Sequence, residues 1–230
     1  VSLNFFSGRA RMRSLALAAV GLGAADPGPY LDLLGPGESD AMRSAMLTMS
    51  GCGLTVRALW REIGMKDDRL EPPYEPGVVM TSIQSMAHEA DAWSDAGDGL
   101  PELAIGDVVY VSEPDHVGTI VDIDRPGDGS VHVTTVDGGS QDASGRQVVV
   151  TYKRAFAPDG DVTAGPMAGQ GRRVFGTVAL PAMLRHFGGA SLDVGGLAML
   201  GAAGLGAAVA WRNLPALRSA ARGLVRRIRS

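Results

Sequence analysis

Apolar positions recur along this chain in two periods, a helical one in its first half and an alternating one from about residue 107. Residues 50–64 carry the clearest helical stripe: Cys52, Val56, Leu59 and Ile63 stand at i, i+4, i+7 and i+11, with Arg57, Arg61 and Glu62 on the other faces. Ser50 is an N-cap type and Gly64 a terminator. A helix is also predicted over residues 10–22 (ARMRSLALAAVGL), stopped by Gly23 and the breakers Asp26-Pro27-Gly28-Pro29, and a short one from Ser39 to about Leu47. Residues 66–77 read as a Pro-rich connector and 78–94 as a further helix.

From Asp107 the segments 107–112, 116–124, 131–137 and 146–153 are rich in Val, Ile, Thr and Tyr and are separated by short Pro/Gly/Asp/Ser turns, with 172–180 as a further candidate strand. Short links make antiparallel hairpins. Helices followed by a meander predict an α+β domain, with N-terminal helices packed on an antiparallel sheet of four to five strands. The domain is placed at 1–180 and a distinct hydrophobic, basic-ended segment at 181–230.

That last segment contains 18 residues without charge, Val194 to Trp211, five of them glycine. As a helix it would be about 27 Å long, enough to cross a hydrocarbon core. Three readings stay open: a membrane span with its trailing arginines on the cytoplasmic side, a packed or partner-binding helix, and a surface anchor over 214–229. The first helix also has two readings. Arg9, Arg11 and Arg13 ahead of a small apolar run resemble a secretory signal, and the same run suits a first domain helix.

Composition narrows the chemistry. Of the chain's 21 basic residues, six lie in 212–230 without an acid; the remaining 15 face 25 acids, a net of −10 over residues 1–211. The body has no electrostatic attraction for nucleic acid, and with five per cent aromatics no platform for stacking bases. The single cysteine, Cys52, excludes an internal disulfide and any zinc site of two or more thiolates. His88, His116, His132 and His186 are scattered, so neither a metal nor a cofactor is called for. GPMAGQGRR (165–173) lacks the Lys-Ser/Thr of a phosphate loop. Asp122, Asp124 and Asp128 lack calcium-loop spacing, and Met42, Met46 and Met49 read as core packing.

Cys52 lies in the first turn of its predicted helix between two glycines, where the helix dipole favours a thiolate and small neighbours leave room for a substrate carbonyl. A buried structural thiol is the competing reading. His116 opens a strand. If 125–130 is the hairpin loop, Asp124 opposes Val131 and Asp137 opposes Gly118, two residues along from His116 on the same face. Such diagonal neighbours lie about 7–8 Å apart, within reach of an imidazole and a carboxylate. His132 falls on the opposite face. Cys52, His116 and Asp137 thus supply a nucleophile, a base and an orienting acid.

Order and wording resemble the NlpC-type cell-wall cysteine peptidases and the related CHAP amidases, compact relatives of the papain fold. LGAADPGPY (22–30) is similar to their opening segment, SGCGLTVRALWREIG (50–64) to their nucleophile helix, LAIGDVVYV (103–111) to a strand start, DHVGTIVDID (115–124) to the histidine strand and VTTVDGGSQ (133–141) to the third polar strand. The spacings are 64 residues from Cys52 to His116 and 21 from there to Asp137. Glycines flank the cysteine where the family usually has Asp or Gln before it and often Ser after, and Leu31 follows Pro29-Tyr30 in place of Trp-Gly-Gly. The resemblance implies a papain-like fold and hydrolysis of an amide in peptidoglycan, either within the stem peptide or between sugar and peptide. It also implies that Tyr30 lies near the oxyanion; a core aromatic is the other reading of that residue. Partners would be the peptidoglycan or peptide substrate, a membrane through 194–230, and a carrier or immunity protein if the chain is an exported antibacterial effector at the cell envelope. The rival class is an inactive scaffold of an envelope or injection assembly.

Overall fold

The computed structural model describes residues 2–74, 78–97, 99–112 and 116–188. The chain divides into two compact units, 1–189 and 190–230. The uncharged segment 194–211 and the basic tail therefore lie outside the described residues. Among those residues no helix is long and apolar enough to cross a membrane.

The first unit is α+β. Helices α1 (Ser2–Ala19), α2 (Pro27–Leu34), α3 (Asp40–Met46), α4 (Gly51–Ile63) and α5 (Val79–Glu89) precede most of the sheet, and α6 (Leu180–Phe187) follows it. The strands are β1 (Trp93–Asp95), β2 (Val108–Val111), β3 (His116–Asp124), β4 (Val131–Gln141), β5 (Gln147–Phe156), β6 (Val162–Ala164) and β7 (Val174–Val178). They form one antiparallel sheet in the order β1-β7-β2-β3-β4-β5-β6.

Seven strands replace the four to five expected. The predicted helix over 78–94 ends at Glu89; Asp91 turns the chain through a positive φ and Trp93 pairs with Val178 as β1. Three-residue strands such as β1 and β6 are too short to show a period of two. Helix α2 arises at the breakers expected to end the first helix. Asp26 accepts the Gly28 N–H at 2.8 Å as N-cap, and Pro27 occupies the first helical position, where its missing N–H costs nothing. The segment 181–188, expected to belong to the C-terminal part, is inside the first unit: Leu180, Met183, Leu184 and Phe187 of α6 pack in its main core.

Two apolar cores lie on the two faces of the sheet. The larger holds Met12 and Ala16 of α1, Tyr30, Trp60 and Ile63, and the sheet residues Tyr110, Val117, Val121 and Val136. Met46 and Met49 are buried there, as expected of packing methionines. The smaller contains Val109, Val111, Ile120, Val133, Phe156, Val162 and Val174, from six strands, with no helical residue among them. A sheet face filled by its own strands has to curl.

Asp107 joins the layers. Its carboxylate accepts from Arg9 of α1 at 2.9 Å, from the Leu180 N–H at the start of α6 at 2.9 Å, and from the Ala104 N–H at 3.0 Å. Arg13 of the same helix donates to the Val121 carbonyl at 2.8 Å and Arg11 to that of Glu62 at 3.1 Å. The arginines that gave this segment its signal-like appearance hold it to the domain. Asp107→Ala strands donors from α1, α6 and the loop before β2 and is expected to lower unfolding free energy by about 3 kcal/mol, read by urea denaturation.

Candidate functional site

The site begins with a close contact between α4 and β4. Gly138 and Gly139 form a bulge, the β4–β5 register shifting between Asp137 and Ser140, and Gly139 has φ +73°. A Cβ on Gly138 would stand 1.8 Å from Thr55 Oγ1, and one on Gly139 3.0 Å from the Cys52 nitrogen. Only a strand without side chains here lets the first turn of α4 rest directly on it. Gly51 and Gly53 serve the same packing. Their missing side chains face Gly139 and Gln147 in one case and Val79 and Met80 in the other. They make room for protein rather than for a substrate, which corrects the reason given for them from the sequence.

Tyr30 lies beneath this turn and is fully buried. Its hydroxyl donates to the Gly51 carbonyl at 3.3 Å and lies 3.2 Å from Thr55 Oγ1. Burial pushes its pKa up to about 12. Of the two readings of Tyr30, the core aromatic is the one its burial and bonding match, the hydroxyl holding to the first turn of α4.

The turn presents Cys52 at the helix N-terminus, 7 % exposed. The Leu54 N–H makes the first bond into the helix, to the Ser50 carbonyl at 3.0 Å, so the Cys52 N–H has no intrahelical acceptor. Ser50 does not cap with its side chain; its hydroxyl lies 3.1 Å from Cys52 Sγ. The His116 imidazole and the Val117 N–H also act on the sulfur, both favouring its ionised form.

His116 and Asp137 meet by strand register. Asp124 pairs with His132, one residue away from the expected Val131, because β3 carries a bulge between Ile120 and Asp122. Past the bulge Thr119 pairs with Val136, and continuing that pairing brings Gly118 opposite Asp137, as expected. A Cβ on Gly118 would lie 2.5 Å from Asp137 Oδ1, so the glycine opens the carboxylate's place. His116 Nε2 bonds Asp137 Oδ2 across that gap, leaving Nδ1 as the ring nitrogen for the thiol. His132 is exposed and apart from these groups.

A further residue joins them that the sequence reading missed. Arg154 of β5, 3 % exposed, donates from Nη2 to Asp137 Oδ2 at 2.7 Å and from Nη1 to Thr135 Oγ1. The predicted strand stopped at 153. A base on the same strand face as Val148, Val150 and Phe156 was the available signal: it occupies an apolar phase, as Asp137 does after Val131 and Val133.

The electrostatics are coupled. Burial disfavours the Cys52 thiolate, yet the His116 hydrogen bond and charge, with Ser50 and Val117, outweigh it and hold the thiol below its ordinary pKa of 9.0. Burial also works against the imidazolium, and Asp137 and Cys52 overcome it, raising His116 to about 9. For Asp137 desolvation is again the largest influence, but His116 and Arg154 keep its carboxyl below the usual range. Both shifts act in the direction of a thiolate–imidazolium pair.

Comparison with protein-family models, curated proteins and solved structures finds no match. Any functional reading therefore rests on the residues themselves. Among the described residues no cluster of three or more His, Cys, Asp or Glu is arranged to hold a metal. A groove of about 320 Å³ lined by Asp122, Asp124, His132 and Lys153 contains neither Cys52 nor His116.

Gly138→Ala tests the docking. Thr55 and the α4 turn must move, so stability is expected to fall by roughly 1–3 kcal/mol and alkylation of Cys52 by iodoacetamide to slow about tenfold in the folded protein. Gly127→Ala, at a loop position where an added Cβ meets nothing within 4 Å, is the control and leaves the alkylation rate unchanged.

Proposed function

We propose that this chain is a cysteine hydrolase of amide bonds, acting through Cys52, His116 and Asp137. The observation that carries the reading is the convergence of these three side chains, from α4, β3 and β4, on one point at a helix N-terminus. A thiolate there attacks the amide carbonyl. The Cys52 N–H, unpaired within its helix, is the donor for the oxyanion. His116 then transfers its proton to the leaving amine, and water, deprotonated by His116, releases the acyl group from sulfur. Asp137 keeps the imidazole oriented with Nε2 toward itself.

The substrate follows from the resemblance to NlpC-type peptidases and CHAP amidases. We assign peptidoglycan, at a stem-peptide bond or the sugar–peptide amide, and with it a papain-like arrangement in which the cysteine helix packs on the histidine strand. That places the domain's work at the cell envelope or outside the cell, in keeping with an exported antibacterial effector. A second reading, an inactive scaffold of an envelope assembly, is favoured by one observation, the low exposure of Cys52.

Incubation with peptidoglycan fragments and mass analysis of the products separates the two. The native chain is expected to release fragments, and Cys52→Ala to lower the rate on the order of a thousandfold or more while remaining folded. Unchanged release by that variant sinks the hydrolase. The pH profile is a further check: the rate should hold toward alkaline pH and decline as His116 loses its proton at about 9. A decline centred in the ordinary histidine range, about 6.5, contradicts the coupling.

A further inference from the structure

Arg154 is a guanidinium in the interior with an incomplete set of partners. Its terminal nitrogens reach Asp137 and Thr135, while Nε has no acceptor among the described residues. Burying a cation so poorly satisfied costs several kcal/mol. Apolar residues fill the neighbouring core positions Val133 and Phe156 at no such cost. What the arginine adds is its charge, delivered to the oxygen of Asp137 that also holds His116.

We infer that Arg154 is a positioning residue that sets the pH at which the Cys52–His116 ion pair forms, by holding Asp137 as an anion behind the imidazole. This deepens the hydrolase reading and rests on it. With Arg154 present, the charges alternate from β5 to α4 as guanidinium, carboxylate, imidazolium and thiolate, and their sum is zero. Without it the same state carries one net negative charge in a region nearly closed to water. The cluster then relieves that charge by binding a proton, and the group that takes it is the thiolate, since the imidazolium is already protonated and Asp137 is bonded to it. The other titratable groups acting on the cluster do not supply a compensating charge. Tyr152 of β5 stacks under the guanidinium at 5.0 Å. Tyr30 of α2 and Tyr110 of β2 face Cys52, and burial keeps both phenols neutral by raising their pKa.

Cys52 is the single thiol of the chain, so its alkylation by iodoacetamide, followed across pH by mass spectrometry, reads this site without any substrate. Arg154→Gln keeps a donor toward Asp137 and removes the charge. It is expected to raise the midpoint of the alkylation profile by about one pH unit, a roughly tenfold loss of rate on the acid side. Arg154→Lys keeps the charge and is expected to retain the native midpoint within a few tenths of a unit. A merely structural arginine would lower the folded fraction in both variants, seen by circular dichroism, without moving either midpoint. A folded Gln variant with the native midpoint overturns the inference, as does a Lys variant shifted upward. If the Gln variant does not fold, Arg154→Met, which fills the same space without charge, takes its place with the same expected upward shift, and a native midpoint there overturns the inference. The underlying reading fails separately: an unsubstituted chain that alkylates with an ordinary thiol midpoint, unmoved by His116→Ala, removes the ion pair itself.

Discussion

The arrangement depends on one electrostatic constraint: charges of alternating sign held in line where water is nearly excluded. Each of Asp137 and Arg154 is almost wholly buried, and desolvating such groups singly costs several kcal/mol. The cost is offset only when every member meets its neighbour, Arg154 on Asp137, Asp137 on His116, His116 on Cys52. Coupling of this kind makes the thiol acidic and the imidazole basic together. Neither shift would survive if its partner were moved.

Small residues make that alignment geometrically available. Gly118 clears the space that the Asp137 carboxylate fills, and Gly138 and Gly139 let α4 lie on β4 closely enough to bring its N-terminus to the end of β3. Tyr30 and Thr55 then hold the first turn of α4 together. The helix dipole adds to the field at the sulfur, but the dominant partner is the imidazole. Asp107 ties α1 and α6 to the start of β2, so the sheet that carries His116 and Asp137 is braced by helices from both ends of the first unit.

Much of this was legible in the amino-acid order because it is written in periods. The stripe through Cys52, Val56, Leu59 and Ile63 predicts α4 nearly to the residue, and alternation predicts β3, β4 and β5. Bulges leave no periodic trace. The one after Ile120 displaced the outer half of the β3–β4 register while preserving its inner half, so Gly118 still came opposite Asp137. The Gly138-Gly139 pair read as the end of a strand that in fact runs on to Gln141. Proline and glycine at 27–29 hid α2, since the same residues break a helix or begin one according to a cap that only the fold reveals. Arg154 fell one residue past the predicted strand, and the glycines around Cys52 were assigned to substrate access when tertiary contacts account for them.

A thiol exposed only slightly is usually a small hydrophobe; what distinguishes Cys52 is the company of an imidazole already bonded to a buried carboxylate. Direct titration of the thiolate by its ultraviolet absorbance in the folded chain tests the central claim most simply. The account predicts ionisation below the ordinary thiol value of 9.0 and the loss of that depression when His116 is replaced by alanine. A sulfur that ionises at or above the ordinary value with His116 in place contradicts it.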